Sequence, residues 1–282
     1  MVAPVKLWSS LLCFSFLLFA VPEPLIGRQM IGKNAMDRRN AQQTERLTNG
    51  EVSSGARKIF ESFCREFESQ RGNWKSAAPK RVIWLNGAPG AGKGTNAGHV
   101  AAALHIGEKP IVTSDLLDSA EFKALKDEGK LIGDEDVTVA VFRKLLDGSY
   151  RGGAIVDGFP RTAQQAECVK LLYDKILAKT GRLDFSMVLF EVSEAVSVER
   201  QLGRGRATAL HNGEVRKSGN GKLVPVRKTD SDPRAARQRY KTYVEQTESA
   251  VATMKKFFPC HRIDAEGSFD QVKEAIGKTV RR

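Results

Sequence analysis

The sequence has few cysteines and histidines, and the uncharged stretch near its start is short for a membrane span. Four cysteines lie far apart and form no Cys-x-x-Cys pair, which argues against a zinc knuckle and a disulfide framework: Cys13, Cys64, Cys168 and Cys260. We expect them to be reduced thiols in or near a core. The four histidines are isolated and receive no catalytic role. Residues 7–21 would form a helix about 22 Å long, below the roughly 30 Å hydrocarbon core of a bilayer.

The first 75 residues divide into three segments. Residues 1–22 predict a cleaved signal peptide or targeting segment, because an apolar run follows Lys6 and ends in small Ala20 before Pro22; a signal-anchor and a buried helix are the alternatives. Residues 23–50 are polar and basic, which predicts a flexible linker. Apolar side chains recur at helical spacing in residues 51–75, which predicts an amphipathic helix that docks on the main domain or binds a partner. The compartment stays open between secretory or organelle targeting and the cytoplasm.

The chain is strongly basic, with a formal charge of +12 and a pI near 9.6. Residues 204–241 hold eleven lysines and arginines against three acids, a net charge of +8 within 38 residues. This clustering favours a local anion-binding device over a generally basic surface. A nucleic-acid-binding protein is the alternative from another class, but only Tyr240 and Tyr243 supply aromatic rings there, at the end of the region.

A glycine-rich turn stands between an apolar run and an alanine-rich run. Residues 81–85 predict a buried strand, and residues 96–104 predict a helix. Such a turn aims backbone N–H groups and the positive end of the helix dipole at one point, and Lys93 can reach the β- and γ-phosphates of a nucleotide. We therefore expect a phosphate site made by Gly87, Ala88, Pro89, Gly90, Ala91, Gly92, Lys93, Gly94 and Thr95.

A second motif begins where a short apolar run ends in Asp157. An aspartate at the carboxyl end of a parallel strand can hold Mg²⁺, usually through water, although a turn cap explains Asp157 alone equally well. Arg161 presents a planar fork suited to a phosphate. Gln165, four residues later, shares its helical face and can contact the edge of a base.

Both motifs resemble those of the adenylate kinase family of nucleoside monophosphate kinases. The first resembles Gly-x-Pro-Gly-x-Gly-Lys-Gly-Thr, and the second fills every position of Asp-Gly-Phe-Pro-Arg-x-x-x-Gln. The resemblance implies an α/β fold, a three-layer P-loop kinase with a five-stranded parallel sheet, a small helical acceptor-binding subdomain and a lid insertion. We assign this domain to residues 80–282, with the acceptor subdomain at about 113–140 and the lid at about 204–230. Strands are expected near 81–86, 109–113, 153–157, 185–192 and 259–263.

The acceptor side resembles the family only in part. Residues 111–117 and 129–132 look like the segments that open the subdomain and meet the base and sugar of the acceptor. However, Asp118 stands where the family has a phosphate-binding arginine, Ser114 replaces a glycine, and the spacing from Asp115 to Gly129 is shorter. If Asp118 faces the site, it should weaken acceptor binding; alternatively it points outward, and Arg161 with Arg143 or another basic residue holds the phosphate. The nucleoside monophosphate contacts implied by the resemblance are Thr113, Lys130, Leu131, Ile132, Gly158, Arg161, Gln165 and Arg237.

The basic region resembles the lid of the family and its flanks. Arg200 and Arg204 match the entrance to the lid, and the resemblance implies that they contact ATP and the phosphate in transfer. Residues 228–232 resemble its exit, where either Arg227 or Lys228 stands for an arginine. Arg239 and Arg237 match arginines of the helix that follows. Two Asn-Gly pairs, at 212–213 and 220–221, predict one or two small β-hairpins, and the scattered cysteines predict a lid without zinc.

The resemblance implies ATP-dependent phosphoryl transfer to a nucleoside monophosphate, with AMP as the expected acceptor (ATP + AMP = 2 ADP). The expected catalytic residues are Lys93, Arg161, Arg200, Arg204 and Arg239. Mg²⁺ enters with ATP, near the Thr95 hydroxyl and the water shell of Asp157. We expect a monomer that binds no nucleic acid and touches a membrane only through an uncleaved N-terminal segment. The alternatives are a kinase of UMP, CMP or another small molecule, and a non-catalytic ATP-binding relative.

Overall fold

The computed structural model describes residues 52–70, 73–117 and 133–280. The strands are β1 Arg81–Gly87, β2 Ile111–Val112, β3 Ala154–Asp157, β4 Asp184–Glu191 and β5 Cys260–Asp264. The helices are α1 Ser54–Gln70, α2 Trp74–Ala77, α3 Lys93–Leu104, α4 Thr113–Leu116, α5 Asp134–Leu145, α6 Ala163–Thr180, α7 Glu194–Ser218, α8 Lys228–Ser231, α9 Pro233–Thr242, α10 Glu248–Phe257 and α11 Phe269–Val280, and a π-helical segment, Tyr243–Thr247, joins α9 to α10. The predicted targeting segment and linker, together with Asp118, Lys130, Leu131 and Ile132, lie outside the described residues.

The five strands form one parallel sheet in the order β2-β3-β1-β4-β5. The predicted α/β fold with a five-stranded parallel sheet is confirmed. Side chains of β1 alternate between two cores, with Trp84 on one face and Ile83 and Leu85 on the other. Helices cover both faces, since α5 and α6 carry residues of the first core, and α3 and α11 carry residues of the second. This layering places the ends of β1 and β3 side by side at one edge, where Leu85 pairs with Asp157.

Helix α1 packs on helices α5 and α6 through a stripe of aromatic side chains. The rings of Phe63 and Phe142 lie 5.4 Å apart between centroids, and Phe142 in turn contacts Phe159 edge to face at 6.1 Å. Charged groups close the margins of this interface: Arg143 forms an ion pair of 2.6 Å with Glu66. Burial of the apolar stripe explains why the helical spacing of residues 54–70 produces a docked helix.

The predicted lid hairpins are wrong. Helix α7 continues through the first Asn-Gly pair and ends at Ser218, and the next residue, Gly219, adopts a left-handed conformation with φ +68°. The Asn212 side chain explains the difference, because it receives the Val224 N–H at 2.8 Å and donates to the Val224 carbonyl at 2.7 Å. The segment that follows the helix is thus bonded to it through the Asn212 side chain and not through strand pairing. Among the described residues, no helix is long and apolar enough to cross a membrane.

Candidate active site at the glycine-rich loop

The loop between β1 and α3 bends back on itself because three glycines adopt positive φ angles. These are Gly87 at +142°, Gly90 at +76° and Gly92 at +81°. A Cβ on Gly87 would lie 2.2 Å from the Phe190 carbonyl oxygen, so this position also requires a residue without a side chain. The loop is fastened from outside by the Ser197 hydroxyl, which donates to the Pro89 carbonyl at 2.7 Å. Helix α3 begins at Lys93, and the free N–H groups of its first turn therefore face the hollow of the loop.

The Lys93 ammonium folds back over its own loop. It donates to the carbonyls of Gly87 at 2.7 Å and Ala88 at 2.9 Å. Burial lowers the pKa of Lys93 to about 8; Asp157 opposes this shift, and Arg161, Arg239 and Arg204 add to it. The charges of these four side chains act on the Lys93 ammonium, so the five groups form one electrostatic site. The site is strongly cationic and suited to a polyphosphate.

Asp157 ends β3 beside the start of α3. The Thr113 hydroxyl donates to the Asp157 carbonyl at 2.8 Å, and the position of a Cβ on Gly94 would be 3.5 Å from the carboxylate. Burial raises the pKa of Asp157, while the positive charges of Lys93 and Arg161 lower it. The carboxylate therefore lies within the cationic site.

The turn after β3 holds Arg161 in place through two hydrogen bonds. Its Nε donates to the Gly158 carbonyl at 2.6 Å, and its backbone N–H donates to the Gln165 side chain at 2.7 Å. Burial lowers the pKa of Arg161, as does Arg227, and Asp157 opposes the shift. Gln165 is buried and also hydrogen-bonds Asp134, so its amide is already engaged by the protein.

Residues 204–239 contribute three guanidinium groups. Arg204 forms a two-pronged pair with the buried carboxylate of Asp230, at 2.7 and 2.6 Å. Arg239 donates to the Thr229 hydroxyl at 3.4 Å, and burial lowers its pKa to about 10, helped by Arg227, Arg161 and Arg204. The sequence left Arg227 and Lys228 as alternatives; the positive charge of Arg227 lowers the pKa of both Arg161 and Arg239.

Comparisons with known proteins identify the family. A family model described as adenylate kinase matches residues 85–258. The chain belongs to the adenylate kinase family. It is similar to the adenylate kinase of Gemmatimonas aurantiaca, with 33% identity over 217 residues that cover 71% of this chain and 99% of the relative. It is also similar to those of Parasynechococcus marenigrum (29% over 209 residues, 71% and 98% covered) and Corynebacterium aurimucosum (42% over 133 residues, 44% and 70% covered). Helices α1 and α2 precede the matched region.

Two arginines assigned by likeness to adenylate kinases lie apart from the central cluster. Arg200 donates to the carbonyls of Ala265 at 2.7 Å and Glu266 at 3.4 Å, at the end of β5. Its Cβ is 3.4 Å from the position of a Cβ on Gly90, so it borders the glycine loop. Arg237 is exposed, two residues before Arg239 on α9, and two residues on a helix point to nearly opposite sides.

One residue of this adenylate kinase site was missed by the sequence reasoning. Asn86, at the end of β1, is buried, with 3% of its surface exposed. Its Oδ1 accepts from the Gly87 N–H and its Nδ2 donates to the Pro160 carbonyl, both at 2.7 Å. The polar break in the apolar run of residues 82–85 was the available signal.

Proposed function

We propose that the protein is an adenylate kinase that transfers the γ-phosphoryl group of ATP to AMP and yields two molecules of ADP. The single observation that supports this most strongly is the glycine loop closed by the Lys93 ammonium, with the Asp157 carboxylate beside the start of α3 and Arg161 in the turn that follows β3. Membership of the family whose relatives are named adenylate kinase supports the acceptor.

Phosphoryl transfer needs alignment and charge neutralisation more than covalent chemistry. Lys93 and the N–H groups of residues 90–95 hold the ATP phosphates. Arg161, Arg204 and Arg239, with Arg200 at the rim, neutralise the charge that develops on the transferred group. No general base is required, because the AMP phosphate is already a dianion at neutral pH. Removal of one such arginine should reduce kcat on the order of 10³-fold.

Mg²⁺ enters with ATP in this proposal. The Asp157 carboxylate lies 3.5 Å from the position of a Cβ on Gly94, and Thr95 is the next residue of the chain. Both side chains supply hard oxygen donors, which fits a cation that takes few protein ligands and retains water and phosphate oxygens. When bound, Mg²⁺ supplies charge neutralisation and holds the triphosphate in one conformation. We propose no role for zinc. Within residues 52–70, 73–117 and 133–280, no group of three or more His, Cys, Asp or Glu side chains could hold a metal.

The acceptor site and the N-terminal segment remain parts of the same proposal. We assign AMP contacts to Gly158 and to the residues named from the resemblance: Thr113, Lys130, Leu131, Ile132, Arg161, Gln165 and Arg237. Residues 1–22 act as a signal peptide or targeting segment, and the compartment that they address must contain ATP. In this proposal the enzyme is a monomer and binds no nucleic acid.

A coupled assay of ADP formation tests the proposal. Lys93→Ala should abolish turnover of ATP with AMP, and Arg239→Ala should lower kcat on the order of 10³-fold. Arg234→Ala, an exposed arginine on the same helix as Arg239, is the matched control and should leave kcat unchanged. Near-wild-type activity of Lys93→Ala would refute the mechanism. Comparison of AMP, UMP, CMP and GMP at fixed ATP identifies the acceptor, and ATP binding without turnover of any of them would establish the non-catalytic alternative.

A further inference from the structure

Asn86 is a polar side chain in an otherwise apolar environment. Residues 82–85, which precede it in β1, are apolar and belong to the two cores. An amide in such a place is unfavourable unless its donor and its acceptor both have partners. Asn86 satisfies both with short hydrogen bonds of 2.7 Å. Its presence is therefore compatible with the fold only through these two contacts.

The two contacts join the two halves of the site. The acceptor contact goes to the N–H of Gly87, whose carbonyl receives the Lys93 ammonium. The donor contact goes to the carbonyl of Pro160, which directly precedes Arg161 and lies 74 residues away from Asn86 in the chain. One rigid amide thus spans from the loop of the donor nucleotide to the turn that carries a guanidinium group.

We propose that Asn86 is a positioning residue that sets the distance between Lys93 and Arg161. The inference rests on the proposed kinase activity, because those two residues serve a common phosphoryl group. A misplacement of about 1 Å between reacting groups can cost about 10²-fold in rate. A side chain that fixes both loops from below keeps this spacing while nucleotides enter and leave.

Two substitutions separate the two contacts. Asn86→Leu keeps the branched shape of the side chain and removes both hydrogen bonds. Asn86→Asp keeps an acceptor for the Gly87 N–H and turns a carboxylate oxygen toward the Pro160 carbonyl, which repels it. We expect Asn86→Asp to retain ATP affinity within about threefold, while its KM for AMP rises about tenfold and its kcat falls about 10²-fold. Asn86→Leu should lose ATP affinity as well.

A double substitution distinguishes positioning from a general structural role. In an Arg161→Ala background, Asn86→Asp should lower kcat less than threefold further, because the group that it positions is already gone. Ser186→Ala, a buried polar residue of the neighbouring strand β4, is the control and should leave kcat and KM unchanged. Thermal unfolding of each variant shows whether it is folded at the assay temperature; if Asn86→Leu is not, Asn86→Asp carries the test.

The outcomes are separable from those of the proposed function. A wild-type protein that makes no ADP from ATP and AMP refutes the kinase assignment itself. An active wild type together with Asn86 variants that keep wild-type kcat and KM, with only a lower melting temperature, refutes the positioning role alone. An equal loss of kcat in the wild-type and Arg161→Ala backgrounds also refutes it.

Discussion

Nucleotide binding should change the protonation of Lys93. Its pKa is about 8 in the free protein, and the triphosphate raises it by adding negative charge beside the ammonium. At pH 8.5 about a quarter of the free protein carries this proton, so ATP binding should take up about 0.7 proton per site. The ATP γ-phosphate is fully ionised at this pH and contributes none. Calorimetric titration of ATP in buffers with different ionisation enthalpies measures the number directly.

The Lys93→Met variant supplies the control for this uptake. Its amine is gone, so the difference in proton uptake between wild type and variant should be about 0.7 at pH 8.5 and close to zero at pH 6.5. The variant should also fold at least as stably. Because the pKa of Lys93 is lower in the folded chain, its charge destabilises the fold at pH 7, and this cost disappears as the pH rises through 8 toward 10.5. Equal proton uptake by both proteins at pH 8.5 would refute the lowered pKa of Lys93.

Two further predictions concern stability, and urea unfolding measures both. Gly205→Ala should destabilise the fold by about 2–4 kcal/mol, because its Cβ would lie 1.9 Å from the Asp230 carbonyl oxygen, whereas Gly203→Ala on the same helix meets only a flexible guanidinium at 3.8 Å and should stabilise it by up to about 1 kcal/mol. Equal effects of the two would contradict the close approach of α7 and α8. Phe63→Ala should cost about 3–5 kcal/mol, since Phe63 is 1% exposed at the centre of the α1 interface, against less than about 0.5 kcal/mol for Leu210→Ala at 71% exposure; a small loss for Phe63→Ala would mean that α1 is not docked.

The sheet and the phosphate loop could be predicted because their signals are local. The apolar runs of residues 82–85 and 154–156 specify buried parallel strands, and glycines specify the turn between strand and helix. The lid could not be predicted in this way. The Asn-Gly pair at 212–213 favours a turn by itself, but its amide finds the backbone of Val224 twelve residues later, and that partner is invisible to a local pattern.

Long-range partners also explain the remaining differences within the site. Arg227 and Lys228 are adjacent cations, and the sequence does not show which of them matches the arginine of the family. Only in the folded chain does the charge of Arg227 lower the pKa of Arg161. Asn86 interrupts an apolar run, but its partner at Pro160 is 74 residues distant, so the break could not be assigned a purpose from sequence alone. In physical terms, the sequence specifies elements whose stability is local, and it leaves open contacts that depend on packing between elements.

Helix α7 is continuous, so it connects the glycine loop rigidly to the segment around Val224. Near its start, Ser197 is hydrogen-bonded to the glycine loop. Near its end, Asn212 is hydrogen-bonded to Val224. The fifteen residues from Ser197 to Asn212 span about 22 Å. A tilt of the helix by about ten degrees about Ser197 would displace Asn212 by about 4 Å. A tilt of this size would therefore move the surface around Asn212 by several ångströms while Ser197 stays on the glycine loop.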